Sequence, residues 1–250
     1  MKKTVLILLC ACLLCGCGGG SSTAKTEKQI TRACLAIDSY DYKEPVPVSA
    51  AIGEDYYATA MFAGDSRMGC LSLYGNHPDA EVGYVTSLNL LMIDIMKADE
   101  RDDGKTLMDL LNETDRQNIY LMFGINEIRN LSFDAFAEKY QEILTTLRNN
   151  NPSVNVYIIL AYHPKEISGL NADQLNTQLN ALNTQLVQLA VDNYTYYLRP
   201  DDAITDENGI VRESYVFDGL HMNPTGTKAM EDFYATHVVR SEDYVKEVCE

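Results

Sequence analysis

The run Asn118-Ile119-Tyr120-Leu121-Met122-Phe123-Gly124-Ile125-Asn126 is the clearest strand in the chain. Five consecutive apolar or aromatic residues run straight into a glycine. Such a run suits a strand buried on both faces, the kind found in a parallel sheet covered by helices. Similar runs recur on either side of it. Residues 58–63 read as a strand ending at Gly64, 81–83 as the close of a second, 154–161 as a fourth and 195–198 as a fifth. Helical patterns fall between them at 66–73 and 106–111, and a closing one follows at 226–234. Phe133, Phe136, Tyr140, Ile143, Leu144 and Leu147 share one helical face, with Ser132 as N-cap and Pro152 beyond the end. Leu175, Leu179, Leu182, Leu186 and Leu189 form a stripe at four–three spacing. It is too short for an independent coiled coil and predicts one amphipathic helix laid on the sheet. Strands alternating with helices imply right-handed crossovers and helices on both faces. In such sheets chemistry sits beyond the carboxyl ends of the strands.

The residues at those ends are informative. Gly64-Asp65-Ser66 follows the first strand. The glycine permits a tight turn, and the serine then stands at a helix start, where free N–H groups stabilise a developing anion. A plain N-cap serine fits the same position. Asp65 reads as a structural hydrogen-bond partner. Arg67 suits either substrate contact or a solvated helix face. Gly124-Ile125-Asn126-Glu127 follows the third strand, and an asparagine amide is a neutral donor suited to an oxyanion. Asp218-Gly219-Leu220-His221 places a carboxylate three residues before an imidazole, close enough to orient it. His163 could line the same cleft; His77 and His237 are weaker candidates.

Taken in this order, these blocks resemble the SGNH, or GDSL-type, hydrolase family. The resemblance covers the chain from about Asp55 to the last helix. It implies a three-layer α/β/α sandwich with a central, mostly parallel five-stranded sheet, the flavodoxin-like fold of that family. It implies Ser66 as nucleophile, His221 as base and Asp218 as its orienting acid. The oxyanion donors would be the Ser66 and Gly83 N–H groups and the Asn126 amide. Gly-Asp-Ser-Arg at 64–67, the Gly-Ile-Asn-Glu block and Thr205-Asp206-Glu207-Asn208-Gly209 look like small secreted bacterial members. One departure is Glu127, where the family more often has aspartate.

Composition bounds the rest. The 250 residues carry 36 acidic and 20 basic side chains, a formal charge of -16, which repels nucleic acid and anionic lipid and suits a neutral substrate. Lys2, Lys3, the apolar run that follows and Leu14-Cys15-Gly16-Cys17 resemble a bacterial lipobox, with Cys17 lipidated. The expected division is a signal peptide at 1–16, a lipidated cysteine, tether and lead-in at 17–50 and the hydrolase domain at 51–250. The protein would then be secreted and held at the bacterial surface by its lipid alone. Cys34, Cys70 and Cys249 permit one disulfide or buried thiols. No cofactor is expected and no metal-ligand spacing is present. The expected partner is a small acylated substrate, with an acetylated glycan as the leading choice. An O-acyltransferase on the same scaffold and a binding lipoprotein without turnover are the rival readings.

Overall fold

The computed structural model describes residues 40–129 and 132–240. Its centre is one parallel sheet of β1 (Ala60–Asp65), β2 (Glu81–Val85), β3 (Asn118–Met122), β4 (Asn155–Ile159) and β5 (Tyr196–Leu198), in the order β2-β1-β3-β4-β5. The helices are α1 (Glu54–Tyr57), α2 (Gly69–Tyr74), α3 (Leu107–Glu113), α4 (Phe133–Asn150), α5 (Ala172–Asp192), α6 (Asp201–Ile204) and α7 (Pro224–Thr236). The strand alternation that splits a sheet into two faces is visible in β1 and β3. Met61, Ala63, Ile119 and Leu121 join a core with α3, α4 and α5. Ala60, Phe62, Tyr120 and Met122 join a second core with α2 and α7. The result is the expected α/β/α sandwich.

On that second face the register lines up Phe62, Tyr120, Tyr157 and Tyr196 across four neighbouring strands. Their rings are 4.5, 4.6 and 5.2 Å apart from centroid to centroid. Several of the chain's tyrosines are therefore core residues. The ladder also fixes register, because a one-residue slip would turn all of these rings to the other face.

The capping residues set the helix starts. Thr106 and Asp109 close a capping box on α3, and Asn171 and Gln174 do so on α5. Ser132 stands at the N-cap of α4 as expected, but its side chain makes no capping bond. The leucine stripe is the buried face of α5. The lead-in is already packed by Tyr40: the Val46 N–H donates to Tyr197 O and the Ser49 N–H to Thr236 O. The folded body therefore extends N-terminal to the boundary expected at 50/51. The signal peptide, Cys17 and the tether lie outside the described residues, as do Cys34 and Cys249. Cys70 is a buried free thiol, and burial pushes it up to about 11. Among the described residues no helix is long and apolar enough to cross a membrane.

The strand order positions the site. From β1 the chain passes to β2 on one side and then returns to β3 on the other. At such a switch the loops leave in opposite directions and open a crevice at the carboxyl ends. Ser66 follows β1, and Asn126 follows β3.

Candidate active site

Gly64 brings the β1 turn close to β3. A Cβ there would stand 2.7 Å from Met122 O, so only glycine allows this approach. The chain then bends through Asp65-Ser66-Arg67, closed by the Met68 N–H donating to Asp65 O at 2.9 Å, before α2 begins. Ser66, half-buried, is left at the bend. Its Oγ lies 2.8 Å from His221 Nε2. His221 Nδ1 lies 2.7 Å from Asp218 Oδ2. The other Asp218 oxygen, Oδ1, accepts from the Leu220 N–H at 3.1 Å and the His221 N–H at 2.8 Å. Partial burial raises the Asp218 carboxyl, but the His221 N–H, the imidazole and the Leu220 N–H outweigh it and hold the group below its ordinary value. Asp218 is thus ionised at neutral pH and free to accept the Nδ1 proton. Three residues that sequence reading singled out on two distant segments are brought into one hydrogen-bonded line.

Asn126 is exposed on the β3 loop and donates one amide N–H to Leu88 O at 3.0 Å. That bond fixes the amide plane and leaves its second N–H for the crevice. Asn126, Ser87, Arg129, Glu166, Ser168 and Asp218 line a cleft of about 430 Å³. Gly83 is a correction. It lies inside β2, paired with Ala63, and β2 runs on through Tyr84 and Val85. Since Asp65 pairs with Val85, Gly83 sits three residues, or about 10 Å, below Ser66. The place where a Cβ would go at Gly83 is filled by Leu107 and Leu110, at 2.9 and 3.1 Å, so the glycine serves helix packing. Ser87 is the residue that reaches the cleft from this side. It adopts φ 58°, an uncommon left-handed conformation for a non-glycine residue. Among the described residues no acceptor is bonded to its N–H.

A family model described as GDSL-like Lipase/Acylhydrolase matches residues 83–229, which is more than half of the chain. The chain belongs to that family. The match takes in Asn126, Asp218 and His221 and begins after Ser66. Solved structures agree on the fold. A GDSL-like lipase from Bacteroides thetaiotaomicron is 13% identical, with a TM-score of 0.55 over 74% of this chain and 89% of that one. A protein assigned as an acylhydrolase from Bacteroides fragilis is 13% identical, with a TM-score of 0.53 over 70% and 83%. A lipolytic G-D-S-L protein from Desulfitobacterium hafniense is 14% identical, with a TM-score of 0.52 over 71% and 98%. No curated protein is a significant match. Membership supports ester or acyl hydrolysis of small substrates in general terms.

Behind the Ser66 turn of this GDSL-like chain lies a buried polar cluster. Arg67 is fully buried and grips Asp65, Nε to Oδ1 at 2.9 Å and Nη2 to Oδ2 at 2.8 Å. Both expectations for Arg67 are therefore corrected: it neither faces solvent nor reaches a substrate. Its guanidinium lies 5.8 Å from the Tyr162 ring centroid. Glu127 sends Oε1 to the Leu90 N–H, so Asn126 and Glu127 together hold the β2 loop at Leu88 and Leu90, on either side of Asn89. The longer acid reaches across to the neighbouring loop.

Burial pushes the Glu127 carboxyl up to about 7; the Leu90 N–H opposes this, nearby Asp65 adds to it, and Arg67 opposes it. The folded state therefore keeps a proton that the unfolded chain releases near 4.5. Stability from this group is complete below that value and is lost as pH rises through about 7. The loss should be on the order of 3 kcal/mol. Urea unfolding at pH 5 and pH 8 should show it, and Glu127→Gln, which cannot ionise, should remove that share of the difference. An unchanged difference in the variant would refute this role for Glu127.

The other histidines stand outside this site. His163 is held by Asn176 and by Pro164 O. His77 stacks on Tyr57 with centroids 3.5 Å apart and contacts Glu54. His237 accompanies Phe233 at 4.0 Å. Among the described residues no group of His, Cys, Asp and Glu is arranged to hold a metal.

Proposed function

We propose that this chain is a serine esterase that removes O-acetyl groups from carbohydrate through an acyl-enzyme on Ser66. The observation carrying this reading is the continuous line Ser66–His221–Asp218, with contacts of 2.8 and 2.7 Å. With its Nδ1 proton donated to Asp218, the imidazole presents a lone pair at Nε2 to the Ser66 hydroxyl. As Oγ attacks the ester carbonyl, Nε2 takes the proton, and ionised Asp218 stabilises the imidazolium. The carbonyl oxygen becomes an oxyanion met by the Ser66 N–H, the Ser87 N–H and the free Asn126 amide N–H. Collapse moves the proton from Nε2 to the leaving alcohol and leaves acetyl on Oγ. Water, deprotonated by the same imidazole, attacks the acetyl carbon; the C–Oγ bond breaks, Nε2 returns its proton to Oγ, and acetate leaves. Losing one oxyanion donor, as in Asn126→Ala, should lower turnover by on the order of 10²–10³.

The leader completes the reading. In this reading residues 1–16 are removed, Cys17 carries the lipid, the residues after it tether a hydrolase body that is packed from Tyr40 onward, and the protein works at the bacterial surface. The strongly acidic charge, -16 over the chain, suits a neutral acetylated glycan.

The test is hydrolysis of p-nitrophenyl acetate by protein lacking about the first 22 residues, with Ser66→Ala beside it. Activity that vanishes in the variant is expected. Equal activity in both, or none in folded wild type, would overturn the reading.

A further inference from the structure

Phe217 and Tyr74 are two exposed aromatic side chains in contact with each other, Phe217 being hydrogen-bonded through its backbone to His221, and the chemistry proposed above uses neither. The Phe217 N–H donates to His221 O at 2.9 Å, and Val216 and Met222 form an antiparallel bridge one step further out. Opposed residues of an antiparallel pair project from the same face, and the next pair projects from the other. Val216 and Met222 are both buried. Phe217 and His221 therefore lie on the outer face of this hairpin, opposite the buried pair. Phe217 is 63% exposed, and its ring meets that of Tyr74 at 5.8 Å and 56°. Tyr74 is the last residue of α2, the helix that begins just beyond the nucleophile turn. The helix after the nucleophile and the loop of the base each supply an aromatic ring, and the two rings touch.

We propose that Phe217 and Tyr74 form the shelf for the leaving alcohol and that this alcohol is a sugar ring. The proposal rests on the esterase reading of Ser66 and His221. His221 Nε2 must hand its proton to the leaving oxygen, so the leaving group lies on the His221 side, where Phe217 stands. An aromatic face is electron-rich and offers wide apolar contact. Ring C–H groups next to oxygen match it, and the hydroxyl rim needs polar partners. The cleft that holds Asn126, Arg129, Glu166 and Ser168 is also lined by Asp218 and Leu220 of the loop that follows Phe217, and it offers such groups. Arg129 and Glu166 form no ion pair among the described residues. An alkyl chain would use the shelf and leave those groups unmatched, and the net charge of -16 opposes an anionic partner.

The experiment compares kcat/KM for methyl tri-O-acetyl-xylopyranoside, ethyl acetate and ethyl butyrate in wild type, Phe217→Ala, Phe217→Tyr and Tyr74→Ala. Phe217→Ala should lower the sugar-ester value about tenfold more than the ethyl acetate value, chiefly through KM. Phe217→Tyr should restore it, and Tyr74→Ala should act in the same direction. An equal fall on sugar ester and ethyl acetate would overturn the shelf, because it would mean that His221 had moved. A selective fall on ethyl butyrate would overturn it too, because the rings would then serve the acyl chain. If wild type cleaves none of these esters, the esterase reading fails by itself. Calorimetric binding of the same sugar ester to Ser66→Ala then decides the shelf: binding weakened by adding Phe217→Ala upholds it, and no binding overturns it.

Discussion

A chain carrying alanine in place of His221 should turn over an acetylated sugar on the order of 10⁶-fold more slowly than wild type, a loss as large as that of Ser66→Ala. The two side chains meet at 2.8 Å, and in the proposed relay neither acts without the other. The serine hydroxyl is a poor nucleophile until its proton has somewhere to go. Once the imidazole is gone, Ser66 adds nothing, so the double variant should be no slower than either single one. Asp218→Asn should cost less, on the order of 10⁴-fold. The amide still occupies the place of the carboxylate, but it stabilises the wrong tautomer and cannot offset the imidazolium charge. Asp218 Oδ1 also accepts two backbone N–H bonds, so the loop should hold its shape in the asparagine variant. Steady-state rates with circular dichroism on each variant check all three statements. Strictly multiplicative losses in the Ser66/His221 double variant would refute a single relay.

Much of this arrangement was legible in the sequence because it is local. The apolar runs that predict strands 58–63, 118–123 and 154–161 are β1, β3 and β4, displaced by about two residues at an end. The Asp218–His221 pair lies within one turn, so spacing alone implies its contact. Ser66 and Asn126 were legible because chain order and a parallel sheet place them at the same edge. Gly83 misled for a definable reason. The family pattern offers a glycine, and β2 was read as ending at it, yet Tyr84 and Val85 continue the strand against β1. The residue that reaches the cleft is a serine with a left-handed backbone, which no side-chain pattern announces. α1 and α6 are four residues each, too short to show a period. Arg67 was illegible for an energetic reason. Arginine at a helix start is nearly always exposed, and only the structure shows Asp65 closing over it.

Replacing Arg67 by methionine should destabilise the protein by about 3–5 kcal/mol, because it leaves the Asp65 carboxylate buried without its partner. For a body of this size, that corresponds to a fall in Tm on the order of 10 °C. Both groups are essentially inaccessible, with side-chain exposures of 0% and 1%, so water cannot replace the lost guanidinium. The cost is that of a broken pair and does not measure the worth of the intact one. Taking two charges out of water nearly cancels their attraction, and a buried pair exchanged as a whole is often neutral. Asp65→Asn added to Arg67→Met should therefore recover much of the loss, since the neutral amide can still accept the Arg67-position N–H that Asp65 Oδ1 accepts now at 3.1 Å. Thermal unfolding of the single and double variants checks the sign of that coupling; a double variant less stable than Arg67→Met would refute it. Function should follow the same logic. The Asp65–Arg67 grip lies directly under Ser66, so a turn loosened in Arg67→Met moves Oγ relative to Nε2 and lowers kcat with little change in KM. The partial rescue should restore kcat together with Tm, which would show that this ion pair acts on catalysis through the shape of the nucleophile turn.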